Sequence, residues 1–346
     1  MINVSRQECE INVNVNPSSM GGSMRYRTLG NTGVSISVIG FGGSPLGNVF
    51  GEISASGDSR LIGAAIDNGI NFFDVSPYYG LGLAEERLGT ALASYRREVV
   101  LATKCGRYGA DEFDFSAHGI TTRLEASLRR LRTDAVDLLQ AHDIEFGDAD
   151  QVIHETFPAL AELKRQGKTR FIGATGYWPD LLARMLQSFP LDSVLNYCHW
   201  NLFADDMDAF LTPVAKVIGT GLINASPLHM GLLGGGPAPE WHPAPQGIRH
   251  AAHDVVSICR EKDVDPATLA VWKCLQHPTA ASTLVGMADV SQVASSCAAL
   301  DFQPDENLLK AITELIDPVR NTSWPQGRPE NQDRAPGQNL AITELR

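Results

Sequence analysis

Eight short apolar runs, separated by helical patterns, recur along the chain between residues 36 and 286. They are ISVIGFG, NFFDVS, VVLATKC, AVDLLQAH, TRFIGAT, SVLNYC, GLINAS and STLVG. Several runs are apolar at successive positions rather than at alternating ones, which is typical of strands buried on both faces of a parallel sheet. Eight strands with helical crossovers fold either into a closed barrel or into an open doubly wound sheet.

The residues that end the first five runs decide between these architectures. Gly43, Asp74, Lys104, His142 and Thr175 are separated by 31, 30, 38 and 33 residues, an even repeat that suits a barrel. An open dinucleotide-binding sheet would carry G-x-G-x-x-G at its first strand-to-helix turn. The string GFGGSPLG does not have that spacing. We therefore predict an α/β fold of the (β/α)8 TIM barrel type.

The segments around the repeat predict how the chain is divided. MRYRTLGNTGVSIS indicates two short strands around Asn31–Gly33, hence a short N-terminal β-hairpin before the barrel. Residues 1–23 are polar and lack the apolar core of a signal peptide, which predicts a disordered N-terminal tail. From Pro318 the chain is again rich in Pro, Gly and polar residues. We predict a barrel domain over residues 24–317 and a polar C-terminal tail over 318–346.

Composition excludes several classes of partner and site. A net charge of −12 argues against binding to nucleic acid, and no apolar window is long enough for a membrane helix. The six cysteines include no CxxC pair, which indicates reduced thiols in a cytoplasmic protein. Cys274 and His277 have a zinc-like spacing, but no second pair completes four ligands, so no metal is predicted. Oligomeric state stays open between a monomer and a homodimer.

Four polar side chains follow the predicted strands, where barrel enzymes carry their chemistry. Asp74, Lys104 and His142 end the second, third and fourth runs, and Tyr79 lies in the loop after the second. A buried lysine needs an anionic partner, and Asp74 on the neighbouring strand can supply it. The ammonium beside a phenol would lower the pKa of Tyr79 and favour proton exchange with a carbonyl or hydroxyl. Without a metal or an activated Ser or Cys, this set indicates hydride transfer to a bound cofactor.

Longer strings carry a resemblance to the aldo-keto reductases. YRTLGNTG, FFDVSPYYG, ATKCG, DLLQAH and ASPLHMGLL are similar to family motifs, over residues 25 to about 300. The resemblance implies that Asp74, Tyr79, Lys104 and His142 form the family's catalytic tetrad. HDIEFG, GKTRFIG and PEWHPA resemble a plant-type subgroup that oxidises L-galactose at C1 to its lactone. Members that act on L-fucose, on D-threo-aldoses or on pyridoxal share much of the pattern.

The resemblance also implies a nicotinamide site. Its expected residues are Gly43, Thr175, Asn196, Ser226, Pro227, Leu228, Gly286, Met287 and Gln292. Thr175-Gly176 replaces the family's Ser-Asn, and Ala225 stands where many members stack a tyrosine on the nicotinamide. The loop GMADVSQVASSC contains no Lys or Arg to hold a 2′-phosphate, so NAD is expected and NADP is disfavoured.

The substrate site is expected to include His142, Trp200, His229 and Trp241. The latter two lie in HMGLLGGGPAPEWHPAPQ, a Gly/Pro-rich loop that we interpret as a functional lid. A small-molecule sugar is the expected partner. A pyridoxal or general carbonyl reductase, a nucleotide-sensing binding subunit without chemistry and a metal-dependent hydrolase remain alternatives.

Overall fold

Eight parallel strands close into a barrel in the computed structural model of the chain, which describes residues 24–236 and 240–332. The ten strands are β1 (Tyr26–Thr28), β2 (Ser35–Ser37), β3 (Ile39–Gly42), β4 (Phe72–Asp74), β5 (Val100–Cys105), β6 (Val136–Ala141), β7 (Thr169–Gly176), β8 (Ser193–Tyr197), β9 (Gly221–Ala225) and β10 (Ser282–Gly286). The barrel runs from β3 to β10, and β10 closes it by pairing in parallel with both β3 and β9. The predicted (β/α)8 fold is confirmed, and each of the eight apolar runs contains a barrel strand.

Helices lie between the barrel strands. They are α1 (Asp58–Asp67), α2 (Leu83–Ala91), α3 (Ala117–Leu131), α4 (Ala149–Gln151), α5 (Phe157–Arg165), α6 (Pro179–Ser188), α7 (Met207–Ile218), α8 (Gln246–Glu261), α9 (Pro266–Leu275), α10 (Val290–Ala298) and α11 (Glu306–Ile316). The long interval between β9 and β10 contains two helices, α8 and α9, and α8 packs against α11. No helix in the described ranges is both long and apolar enough to cross a membrane.

The predicted hairpin is confirmed and covers one end of the barrel. Strands β1 and β2 pair antiparallel, with Tyr26 opposite Ser37. The run ISVIGFG is therefore divided, because its first residues belong to β2 and its last four form β3. Leu29 and Ile36 of the hairpin pack with Phe72 and Leu138 from the barrel interior. This apolar contact closes the amino-terminal end of the barrel and leaves the carboxyl end for polar groups.

Because side chains alternate between the two faces of each strand, the residues inside the barrel are arranged in layers. Phe72, Ala102 and Leu138 belong to the apolar cluster inside the barrel. Residues two positions further along a strand point to the same face, since the period of a strand is 2. Asp74, Lys104 and Gln140 follow at that spacing, and Lys104 is the register partner of Gln140. A polar layer therefore lies directly above the apolar one.

The described part of the C-terminal region, residues 318–332, packs against the barrel and is called the C-terminal segment below. Trp324 is 3% exposed. The side chain of Asn331 donates hydrogen bonds to the carbonyls of Glu145 (2.9 Å) and Gly147 (2.7 Å). The domain boundary predicted at residue 317 stays a prediction, and residues 318–332 pack against the barrel. The predicted tail at 1–23 and the remainder of the second tail, 333–346, lie outside the described residues.

Candidate active site

A buried ion pair lies at the centre of the polar layer. The Lys104 Nζ contacts Asp74 Oδ1 and donates a hydrogen bond to the carbonyl of Val75 at 2.9 Å. Burial alone would lower the pKa of Lys104, but Asp74, Tyr79 and Asp143 together more than offset this effect and the pKa is raised. Lys104 is therefore an ammonium at neutral pH.

Tyr79 lies in the turn after β4, beside this ammonium. Its Oη is 3.5 Å from Lys104 Nζ, and the ammonium is 5.0 Å from the centre of the phenol ring. The turn closes against Gly47 of the β3–α1 loop, where a Cβ atom would collide with the backbone of Tyr79. A residue with a side chain at position 47 would therefore displace the phenol.

The pKa of Tyr79 differs from the sequence-based expectation. Burial raises it to about 12, because desolvation of the phenolate outweighs the lowering by Lys104, and the carboxylates of Asp74 and Asp143 add to the rise. The ammonium of Lys104 does lower the pKa of Tyr79, as expected, but by less than burial raises it. In the free protein Tyr79 is a protonated phenol at neutral pH.

His142 follows β6, and neighbouring residues contact both its backbone and its ring. Its backbone N–H donates to the carbonyl of Cys105 at 2.7 Å, and its ring lies edge-on to that of Tyr79, with centres 5.8 Å apart. Ser76 Oγ is 2.9 Å from His142 Nδ1 and accepts a hydrogen bond from the N–H of Tyr78 at 3.1 Å. The free hydroxyl hydrogen of Ser76 can then be donated to Nδ1, which leaves the proton of the neutral imidazole on Nε2.

Burial keeps that imidazole neutral. The pKa of His142 is lowered to about 3, mainly by desolvation, although the carboxylate of Asp143 acts in the opposite direction. A neutral histidine with Nε2–H is a hydrogen-bond donor that does not add a charge to the site. It can therefore orient an oxygen atom placed next to Tyr79.

Sequence reasoning missed several residues that support this group. Arg107 pairs with Asp143 at 2.6 Å, and its guanidinium lies 4.0 Å above the Tyr78 ring. Gln140 Nε2 donates to Asp74 Oδ2 at 2.9 Å. The signal for Gln140 was present, because it lies two residues before His142 in a strand whose alternate residues face inward. No comparable signal exists for Arg107, which lies in an irregular loop.

The carboxyl ends of three adjacent strands are formed by small residues. Ala225, Gly286 and Gly43 follow or end β9, β10 and β3, and none of them carries a large side chain. Ser226 then takes a left-handed conformation with φ of 60°, which turns the chain sharply at the start of the loop with Pro227 and Leu228. Small residues at these strand ends are compatible with a planar ring such as nicotinamide next to β4, the strand that precedes Tyr79.

Other residues expected to hold a cofactor have their polar groups largely occupied. The Thr175 hydroxyl accepts from the N–H of Asp143 at 2.9 Å, and Asn196 Nδ2 donates to the carbonyls of Gly176 and Tyr177. Asn196 Oδ1 is buried and has no hydrogen-bond partner in the part of the chain that the structure describes.

At the start of α10, Gln292 Oε1 accepts from the N–H of Ala288 at 2.7 Å, and Asp289 caps the helix. Met287, between β10 and this cap, is fully buried.

The residues expected to contact substrate are dispersed. The indole of Trp200 packs on His277, with ring centres 4.6 Å apart, and under Lys273 of α9. His229 is buried against Phe203 and Trp324. Trp241 is 48% exposed and lies 5.7 Å from the ring of Phe50. Of the four residues, only His142 has a ring contact with Tyr79 within the part of the chain that the structure describes.

Comparisons with known proteins agree with this geometry. Residues 38–317 match the model of the Aldo/keto reductase family. The chain is 43% identical over 318 residues to L-galactose dehydrogenase of Arabidopsis thaliana, which covers 89% of this chain and 99% of that protein. It is 30% identical to D-threo-aldose 1-dehydrogenase of a Pseudomonas species, over 73% of this chain and 86% of the relative.

A solved structure supports the same assignment. The holo form of an aldo-keto reductase from Bacillus halodurans superposes with a TM-score of 0.70 at 25% identity, covering 90% of this chain and 100% of that chain. Members of the family are oxidoreductases that use nicotinamide cofactors. From the barrel, the buried strand-end group and these matches, we conclude that the chain belongs to the aldo/keto reductase family.

Proposed function

We propose that the protein oxidises an aldose at C1 to its lactone with NAD as hydride acceptor, and that L-galactose is the substrate. The observation that supports this most is the phenol of Tyr79, which lies between the buried ammonium of Lys104 and the neutral imidazole of His142. The similarity to a plant L-galactose dehydrogenase over nearly the whole chain supports the choice of sugar.

Each polar side chain of the site has its own role in the proton transfer. When bound, the nicotinamide accepts the hydride from C1. Once Tyr79 has released its own proton to solvent, its phenolate Oη accepts the proton of the C1 hydroxyl, and His142 Nε2–H donates a hydrogen bond to the same oxygen and orients it. Lys104 stabilises the phenolate form of Tyr79 that accepts this proton, while Asp74 keeps Lys104 charged.

A preference for NAD is supported by charge around α10. No Lys or Arg occurs between Lys273 and Lys310, and Asp289 caps the helix that begins after β10. A 2′-phosphate in this region would lack a cationic partner and would meet a carboxylate. We expect cofactor titrations followed by protein fluorescence to give a Kd for NAD+ at least tenfold lower than for NADP+. Equal affinities would contradict this choice.

The test of the function is a panel of L-galactose, L-fucose, D-arabinose and pyridoxal with NAD+, followed by NADH absorbance. We expect Tyr79→Phe to lower kcat by about 10²–10⁴-fold, the usual contribution of a positioned acid or base. Tyr78→Phe is the matched control, since it removes a neighbouring hydroxyl and keeps the ring that packs under Arg107. Turnover of no sugar, or near-normal activity of Tyr79→Phe, would refute the proposal.

A carbonyl reductase is the second candidate, and one observation favours it. With a pKa of about 12, Tyr79 is protonated in the free protein and is ready to donate to a carbonyl oxygen. The same panel, run with NADH and pyridoxal or simple aldehydes, distinguishes the two. Faster reduction of aldehydes than oxidation of every sugar would favour this candidate.

A further inference from the structure

Gln140 is a fully buried amide in the polar layer, outside the four residues named above. It lies in β6, pairs in register with Lys104 and precedes His142 by two residues. Its Nε2 donates to Asp74 Oδ2 at 2.9 Å, whereas Lys104 contacts Oδ1. The two oxygens of the Asp74 carboxylate are thus divided between an ammonium and an amide.

The orientation of the amide is determined by this contact. Gln140 Oε1 is buried and has no partner among the described residues. Rotation of the amide by 180° would bring this acceptor against Asp74 Oδ2, which is also an acceptor. The neighbouring position in β7 is Gly173, where a Cβ atom would come 3.4 Å from Gln140 Cγ. That separation is an ordinary contact, whereas the same Cβ atom would collide with Ser193 Oγ, so Gly173 makes room for Ser193 rather than for the amide.

We propose that Gln140 is a positioning residue, whose amide holds the Asp74 carboxylate ionised and directed at Lys104 and so keeps the ammonium beside Tyr79. The proposal rests on the proposed function for its kinetic test. Burial raises the pKa of Asp74, while Lys104 and Gln140 lower it. Loss of the amide leaves Oδ2 with an unmet hydrogen bond in a buried site, which favours transfer of the Lys104 proton to Asp74.

The consequence is a change in pH dependence rather than only in rate. With a neutral Lys104, the phenolate of Tyr79 loses its main stabilising charge. In Gln140→Leu we expect the acidic limb of the kcat profile for sugar oxidation to move up by about one pH unit, which is a tenfold loss of kcat on that limb. KM for the sugar and Kd for NAD+ should stay within about twofold, because Gln140 lies below the residues expected to contact either.

Two further variants separate positioning from packing. Gln140→Glu should return the limb toward the wild-type value, since two adjacent buried carboxyls share one proton and the protonated one can donate to Asp74. Ser193→Ala is the matched control, because Ser193 Oγ is also buried without a hydrogen-bond partner among residues 24–236 and 240–332, and no hydrogen bond joins it to Asp74 there. An unmoved limb in Gln140→Leu, an equal movement in Ser193→Ala or no recovery in Gln140→Glu would each overturn the proposal.

An infrared measurement keeps this test independent of the proposed function. At neutral pH, the spectrum of Gln140→Leu minus wild type should show the C=O band of a protonated carboxylic acid, and the band should disappear when Asp74→Asn is added. If no sugar is oxidised by the wild type, the proposed function fails, and the presence or absence of this band alone decides the role of Gln140.

Discussion

Lys104→Met isolates the buried ion pair as a source of stability. The side chains of Lys104 and Asp74 are 2% and 4% exposed. Methionine has nearly the length of lysine without its charge, so the substitution leaves little empty space. Among the described residues, the carboxylate of Asp74 would then keep a single side-chain hydrogen bond, the one from Gln140. Leaving one member of a buried pair alone typically costs about 3–5 kcal/mol in the free energy of unfolding, and we expect a loss in that range.

Urea unfolding of the wild type, of Lys104→Met and of Lys104→Met combined with Asp74→Asn measures this effect. Adding Asp74→Asn to Lys104→Met removes the unpaired charge, so the double variant should return to within about 0.5–1.5 kcal/mol of the wild type, the net value of an ordinary hydrogen bond. Neither variant should recover turnover, because both lack the ammonium beside Tyr79. Lys168→Met is the matched control, since its partner Glu125 is 46% exposed and such a pair contributes about 0–1 kcal/mol.

The pH dependence of the single variant gives a second readout. Without the ammonium, burial raises the pKa of Asp74 further above its unfolded value. A carboxyl with a raised folded pKa binds more protons in the folded state, so its stabilising effect is present at low pH and is lost as pH rises. Lys104→Met should therefore gain stability relative to the wild type between pH 7 and pH 5. Wild-type stability of the single variant, or no recovery in the double variant, would refute the reasoning.

Three other predictions concern residues outside the ion pair. Burial, with help from Asp143, raises the pKa of Glu145 to about 8. The wild type should therefore lose thermal stability as pH rises from about 5 to 9, and Glu145→Gln should not show this loss in thermal melts. Trp324→Ala should lower the free energy of unfolding by about 3–5 kcal/mol, against less than about 1 kcal/mol for the exposed Trp241→Ala in the same urea titration. Trp200→Phe should leave KM for the sugar within about twofold, because its indole packs on α9 rather than beside Tyr79; a tenfold rise would return Trp200 to the substrate site.

Much of this architecture could be read from local patterns. The eight apolar runs and their spacing predicted the barrel, because each strand is buried on both faces and its composition reports that burial. The same spacing placed Asp74, Lys104 and His142 at strand ends, which lie at one edge of a parallel barrel. The proximity of these residues therefore followed from the strand assignments alone.

Aromatic loop residues and the C-terminal segment could not be assigned in this way. Trp200 follows β8, but no periodicity in its loop shows whether its ring turns toward the barrel mouth or toward α9. The composition of residues 318–332 is polar, yet Trp324 is buried there against Tyr177 and His229. Both outcomes depend on contacts between segments far apart in the chain.

The sequence by itself determined the order of the strands, the hairpin and the identities of the polar groups at the strand ends. Closure of the barrel decided how those groups act on one another. It brought Gln140 against Asp74, 66 residues apart in sequence. It also enclosed Tyr79 so that burial raises its pKa against the pull of Lys104. The desolvation of a side chain and its distance from other charged groups arise only in the assembled site, so neither can be read from the sequence of a single strand.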